Sequence, residues 1–168
     1  MKEIKVTNRK IIAIWNVINS LQEMNMMGAK YKYWLSINKK NVEDFKEIIN
    51  ESVNGIPAIE GFKAFADHRI QLCKEIDMVE GQNILHKEFM PNGAETYKID
   101  NEEEFEVKIA PLKEKYKEAI EENDKRDKEI NDLLDQEVEV KLFVINIDNI
   151  PDEIPDSAVD VLLDAIES

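Results

Sequence analysis

The stretch EVEVKLFVIN, residues 137–146, decides the fold. Val138, Val140, Leu142 and Val144 fall on one side of an extended chain, and Glu137, Glu139, Lys141, Phe143 and Ile145 fall on the other. The alternation is clean as far as Leu142. LFVI is then apolar on both faces, the pattern of a strand whose second half is covered on both sides. A strand cannot stand alone, so this one needs a mate. The other alternating segment is residues 2–6, where Ile4 and Val6 face one way and Lys5 the other. The two ends of the chain are therefore predicted to meet in a small two-stranded sheet.

Between these strands the apolar spacing is helical. Thr7 or Asn8 caps a first helix with Ile11, Ile14, Trp15, Ile18 and Leu21 on one face. A second helix covers about residues 29–51, with Tyr31, Trp34, Leu35, Val42, Phe45, Ile48 and Ile49 available for packing, and Asn54, Gly55 and Pro57 end it. A third covers about residues 58–78. The Pro91-Asn92-Gly93 turn then predicts a β-hairpin at about residues 84–99. One long helix follows over about residues 101–135, solvated or kinked between Ile120 and Ile130, where the apolar stripe disappears. After the 137–146 strand, Asp156 or Ser157 caps a closing helix with Val159, Leu162, Leu163 and Ile166 on its apolar side.

The expected fold class is α+β and mainly α. The N-terminal and C-terminal strands form a two-stranded sheet packed by helices. An antiparallel helical hairpin tipped by the β-hairpin projects from it. The chain reads as a single domain, 1–168, with a base of residues 1–57 and 136–168 and a helical arm of residues 58–135.

Charge is the main functional signal. Residues 100–168 hold 23 Asp and Glu against 8 Lys and Arg, which is −15, while the first 99 residues hold 13 acids and 14 bases, which is +1. Such a balance argues against nucleic acid and anionic membrane as partners and for a basic protein surface. Asp156, Asp160 and Asp164 line up at i, i+4 and i+8 on one helical face, where they read as a wet surface or as a weak site for a hard cation. Glu121, Glu122, Asp124, Asp127, Asp152, Glu153, Asp156, Asp160 and Asp164 are the candidate partner-binding residues.

Motifs that would announce chemistry are missing. Neither G-x-G-x-x-G nor G-x-x-x-x-G-K-[ST] is present, and no serine sits in a G-x-S-x-G setting. Gly61 reads as a packing position. Cys73 is the single cysteine, so no internal disulfide and no cysteine-based zinc site forms. His68 and Cys73 would lie about 140° apart around a helix, which does not suit one metal. No cofactor is expected. The basic aromatic stretch KYKYWLSINKK, residues 30–40, reads as a core face of Tyr31, Trp34 and Leu35 with lysines outside, and alternatively as a dock for the acidic half, in this molecule or a neighbour. The N-terminus lacks a signal-peptide h-region, and no run approaches ~18 apolar residues, so a cytoplasmic protein is expected.

Three stretches carry a family resemblance: KVTNRKIIAIWNVINSL, FKAFADHRIQLCKEID, and PLKEKYKEAIEENDKRDKEINDLLDQEVEVKLFVINIDNIPDEI. Their order of strand, helices, charged hairpin and acidic closing strand resembles small acidic helical-hairpin proteins of unknown function from tailed bacteriophages and prophages. The chain departs from them at Met90-Pro91-Asn92-Gly93, where such proteins often show a more polar turn. The resemblance implies a phage setting, in the host cytoplasm or on the virion, and supplies no catalytic residues. The leading expectation is a non-enzymatic assembly or accessory factor that binds a basic surface of host or phage origin through its acidic C-terminal half. A homo-oligomer stays open. The alternatives are an inhibitor of a host nucleic-acid enzyme or defence system by nucleic-acid mimicry, and a metal-dependent hydrolase.

Overall fold

A computed structural model describes residues 1–24, 28–76, 78–79, 82–83, 86–89, 95–98 and 102–167. The elements in chain order are β1 (Lys2–Thr7), α1 (Asn8–Gln22), α2 (Ala29–Gly55), α3 (Glu60–Ile76), β2 (Met78–Val79), β3 (Gln82–Asn83), β4 (His86–Phe89), β5 (Glu95–Lys98), α4 (Glu102–Lys115), α5 (Lys117–Leu134), β6 (Glu137–Leu142), β7 (Ile145–Asn146), α6 (Asp156–Leu162) and β8 (Ile166–Glu167). The fold is mainly α with small sheets. It divides into two compact units, one of Met1–Ile56 with Lys128–Ser168 and one of Pro57–Asp127.

In the first unit, β1 and β6 pair antiparallel, from Lys2 opposite Leu142 to Thr7 opposite Glu137. Val6, Val140 and Leu142 are buried on the inner face, with Ile4 and Val138 half-buried beside them. On the outer face Glu3 stands opposite Lys141 and Lys5 opposite Glu139. Sliding the register by two residues would set Glu3 against Glu139 or Lys5 against Lys141. Facing like charges cost stability, so the charge order reinforces the apolar pattern in fixing the register.

Two asparagines organise this unit. Thr7 is the N-cap of α1, its hydroxyl oxygen accepting from the Lys10 N–H at 3.2 Å. Asn8 is buried and turns elsewhere: its Nδ2 donates to the Leu133 carbonyl at 2.8 Å, and its N–H donates to the Gln136 carbonyl at 2.9 Å. It thereby satisfies a carbonyl at the C-terminal end of α5, where no intrahelical donor remains. Asn38 on α2 is 1% exposed and grips Phe143 twice, accepting its N–H at 2.7 Å and donating to its carbonyl at 2.9 Å. The Trp34 indole N–H donates to the same carbonyl. These helix side chains stand where a neighbouring strand would continue the ladder. The ladder itself ends at Leu142, opposite Lys2 where β1 begins, short of the expected Asn146, and Phe143 is 37% exposed rather than covered.

Ile11, Ile14, Ile18, Leu35, Val42 and Leu142 form the centre of the core, each worth about 1.5–3 kcal/mol of transfer free energy. Ile48, expected to pack, is 62% exposed. The closing segment also departs from expectation. Pro155 is the N-cap of α6 with no side-chain cap, and the helix stops at Leu162. A 3-10 turn over Leu163–Ala165 then leads into β8, which pairs parallel with β7, Ile166 opposite Ile145. The tighter turn rotates Ala165 inward and leaves Leu163 59% exposed.

In the second unit, α3 runs antiparallel to α4 and α5. Gly61 meets Ala119, the Phe65 ring lies 6.1 Å from that of Tyr116, and Arg69 covers Phe105. A Cβ on Gly61 would stand 2.8 Å from the Ala119 Cβ, so the glycine is a close-packing position as expected. The long helix breaks at Tyr116, whereas residues 121–129, expected to be solvated or kinked, stay helical and are mostly exposed. Pro111 lies inside α4 and offers no N–H to the Val107 carbonyl, and on either side of the break Tyr116 N–H donates to the Leu112 carbonyl at 3.1 Å and Ile120 N–H to the Tyr116 carbonyl at 2.9 Å. The core consists of Phe65, Cys73, Phe105 and Ile109, flanked by Phe62, Leu72, Leu112, Tyr116 and Ile120. β4 and β5 pair antiparallel, His86 opposite Lys98 through Phe89 opposite Glu95. The expected turn at residues 91–93 lies outside the described residues.

Candidate functional site

The nine candidate carboxylates fall on both units. Glu121, Glu122, Asp124 and Asp127 lie on α5 within the second unit, all exposed. Asp127 is not bare: Asn123 Nδ2 donates to it at 2.9 Å and Arg126 lies 3.4 Å away. These acids are interleaved with bases. Between residues 113 and 127 there are 6 Asp and Glu and 5 Lys and Arg, a net −1. The nearby cleft, about 830 Å³, shows the same mixture: Glu60, Glu114, Glu118 and Glu122 with Lys115 and Lys117.

Asp152, Glu153, Asp156, Asp160 and Asp164 lie on the first unit. The first four are exposed, in the loop before α6 and on α6 itself. Asp164 is partly covered and sits 3.6 Å from Lys10 Nζ. The expected three-carboxylate stripe is not formed, because α6 ends before Asp164 and the 3-10 turn carries it off that face. Among the described residues no three His, Cys, Asp or Glu side chains are placed to hold a metal ion.

A feature that residue-by-residue reading missed surrounds these five. Residues 142–168 contain 7 Asp and Glu and no Lys, Arg or His. The bases that reach this segment come from the N-terminal part of the unit. Lys10 meets Asp164 and the Asp160 carbonyl, and Lys30 donates to Asn149 at 3.0 Å. Upstream, Arg9 pairs with Asp135 and Lys5 with Glu137. The Glu137 hydrogen bond and charge raise the Lys5 ammonium above its ordinary pKa. The N-terminal bases thus cancel the acids nearest the sheet, leaving Asp148, Asp152, Glu153, Asp156 and Asp160 without a described ion pair. A count of bases in a sliding window would have found the segment.

The aromatic stretch takes the core reading. Tyr31, Trp34 and Leu35 are buried, and burial pushes the Tyr31 hydroxyl up to about 12. Tyr33 is 64% exposed, and Lys39 is spent over the Trp15 ring. Cys73 is fully buried, and His68 Nδ1 lies 2.9 Å from the Tyr116 hydroxyl. No described helix is long and apolar enough to cross a membrane. No family model, no curated protein and no solved structure matches this chain.

Proposed function

We propose that the protein is a non-enzymatic interaction protein of phage type, an assembly or accessory factor that docks on a basic protein surface. The docking residues are Asp152, Glu153, Asp156 and Asp160, with Asp148 at their margin. The observation that carries this reading is the base-free acidic segment of residues 142–168, four of whose exposed carboxylates sit in and just before α6. One-signed charge uninterrupted by local counter-charges produces a field that steers a complementary partner, and its effect on association falls steeply with ionic strength.

The test is affinity capture from host cells, with and without infection, using the wild-type protein and an Asp152→Asn, Glu153→Gln, Asp156→Asn, Asp160→Asn variant side by side. The expected result is a basic partner on the wild type alone, eluting early in a salt gradient. A partner held equally by both proteins, or retained above about 1 M salt where screening is nearly complete, contradicts the reading. If that partner is a nucleic-acid enzyme whose substrate competes for the same surface, the mimicry form of the proposal holds.

A further inference from the structure

The β1–β6 sheet has two outer edges, and the fold treats them differently. Just past the ladder the Asn8 N–H donates to the Gln136 carbonyl, which the register sets opposite it, so the bonding positions on β1 are the even-numbered ones. Antiparallel pairing alternates. The even-numbered residues of β1 therefore bond to β6, while Glu3, Lys5 and Thr7 turn their N–H and C=O groups outward. On β6 the outward-facing set is Glu137, Glu139 and Lys141, continued by Phe143. That edge is capped at its Phe143 end, where Asn38 and Trp34 occupy both polar groups of that residue. Among the described residues β6 is the only strand paired with β1, and Lys2, Glu3 and Lys5 are exposed.

We infer that β1 pairs antiparallel with β1 of a second copy of this chain, centred on Ile4, to join the two sheets into one of four strands. The occupant is identified by charge complementarity. Only outward-facing residues can form the hydrogen-bonded pairs across the new junction, which restricts the two-fold registers. Centring on Glu3 sets Glu3 against itself, and centring on Lys5 sets Lys5 against itself, both destabilising. Centring on Ile4 sets Glu3 against Lys5 of the second copy, twice by symmetry.

The rows across all four strands then alternate in sign. One row reads Lys141, Glu3, Lys5 of the second copy, Glu139 of the second copy; the other is its symmetry mate. The two Ile4 side chains, half-buried in the single chain, meet on the inner face. Long-range charge also favours this edge. Residues 1–56 carry 9 bases and 6 acids, so they are the part of a −14 chain that repels its own copy least. The inference stands without the acidic segment of residues 142–168.

Sedimentation equilibrium tests it with three proteins: wild type, Lys5→Glu and Glu3→Lys. At about 0.2 mM, where mass action favours association, the wild type is expected at twice the 19.5 kDa chain mass. Each variant alone is expected as a monomer, since the junction becomes all acidic or all basic. An equal mixture restores the dimer, because the all-acidic edge of one variant then faces the all-basic edge of the other. A second readout needs no variant: exchange of the Glu3 and Lys5 amides in the wild type slows as protein concentration rises. A monomeric wild type, a dimer of Lys5→Glu alone, or a mixture that stays monomeric overturns the inference, as does amide exchange independent of concentration.

Discussion

Residues 113–127 and residues 142–168 hold 6 and 7 acids, yet they use them in opposite ways. In the first, 5 bases lie among the acids on the α4–α5 helices; Asp127 pairs with Arg126 inside the stretch, and Lys113 pairs with Glu106 just before it. In the second, no base is present, and among the described residues the bases that reach it are Lys10 at Asp164 and Lys30 at Asn149. The contrast disappears at the scale of the units. Each contains 11 Lys and Arg and 18 Asp and Glu, a net −7 apiece. The lopsidedness along the chain is therefore not a difference between the units. It is a polarity within the first one, where residues 1–56 at +3 fold against residues 128–168 at −10. Net charge alone does not mark a surface for binding; the spacing of counter-charges does.

The largest expected effect tests that contrast by binding. Removing four carboxylates at Asp152, Glu153, Asp156 and Asp160 is expected to weaken a basic partner at least roughly 100-fold at low salt. Removing Glu118, Glu121, Glu122 and Asp124 from the mixed helix is expected to change it by less than about tenfold, measured by calorimetric titration. Next come the cores. Leu35→Ala, at a side chain with no exposure, is expected to cost about 2–5 kcal/mol by denaturant unfolding of the first unit. Ile109→Ala removes a member of the smaller described core and is expected to act on the second unit, about 2–4 kcal/mol.

A smaller effect concerns the glycine. Gly61→Ala gains up to about 1 kcal/mol of helix propensity but drives a methyl group into the Ala119 Cβ. Neither atom has a rotamer through which to escape, so the overpacking cost of about 1–3 kcal/mol wins. Adding Ala119→Gly should recover part of the loss in thermal melts. Alkaline pH probes the buried tyrosine. Tyr31 titrates near 12 in the folded chain and near 10 when unfolded, so its contribution is fully present below about pH 10 and is lost as pH rises through about 12. Tyr31→Phe should flatten that part of the stability profile, whereas exposed Tyr33→Phe should not. Smallest is Arg9→Ala, which removes an exposed ion pair with Asp135 and is expected to cost at most about 1 kcal/mol.

The sheet was legible in the sequence because the periodicity of Ile4 and Val6 and of Val138, Val140 and Leu142 leaves one way to bury both strands. The helix faces were legible for the same reason. What escaped depended on partners distant along the chain. Nothing local to Phe143 announces that Asn38, 105 positions away, will take both of its backbone groups. Nothing local to Leu163 shows that a tighter turn will expose it while Ala165 goes inward. The break at Tyr116 falls past Pro111, whose missing N–H concerns the Val107 carbonyl inside α4, so no local residue announces it. The candidate site was legible as charge but not as arrangement. Which acids lose their field to Lys5, Arg9 and Lys10 follows from the fold, and that choice separates Asp164 from Asp152, Glu153, Asp156 and Asp160.

The central claim is that a partner reads the base-free segment of the first unit. The direct measurement is the affinity of the captured partner at about 0.05 M and about 0.3 M salt, between which the Debye length falls roughly from 14 to 6 Å, for the wild type and the two carboxylate-neutralised variants. The account predicts a steep salt dependence in the wild type and the α5 variant and a shallow one once Asp152, Glu153, Asp156 and Asp160 are neutral. An equal salt slope in all three, or a slope lost only with Glu118, Glu121, Glu122 and Asp124, would contradict it.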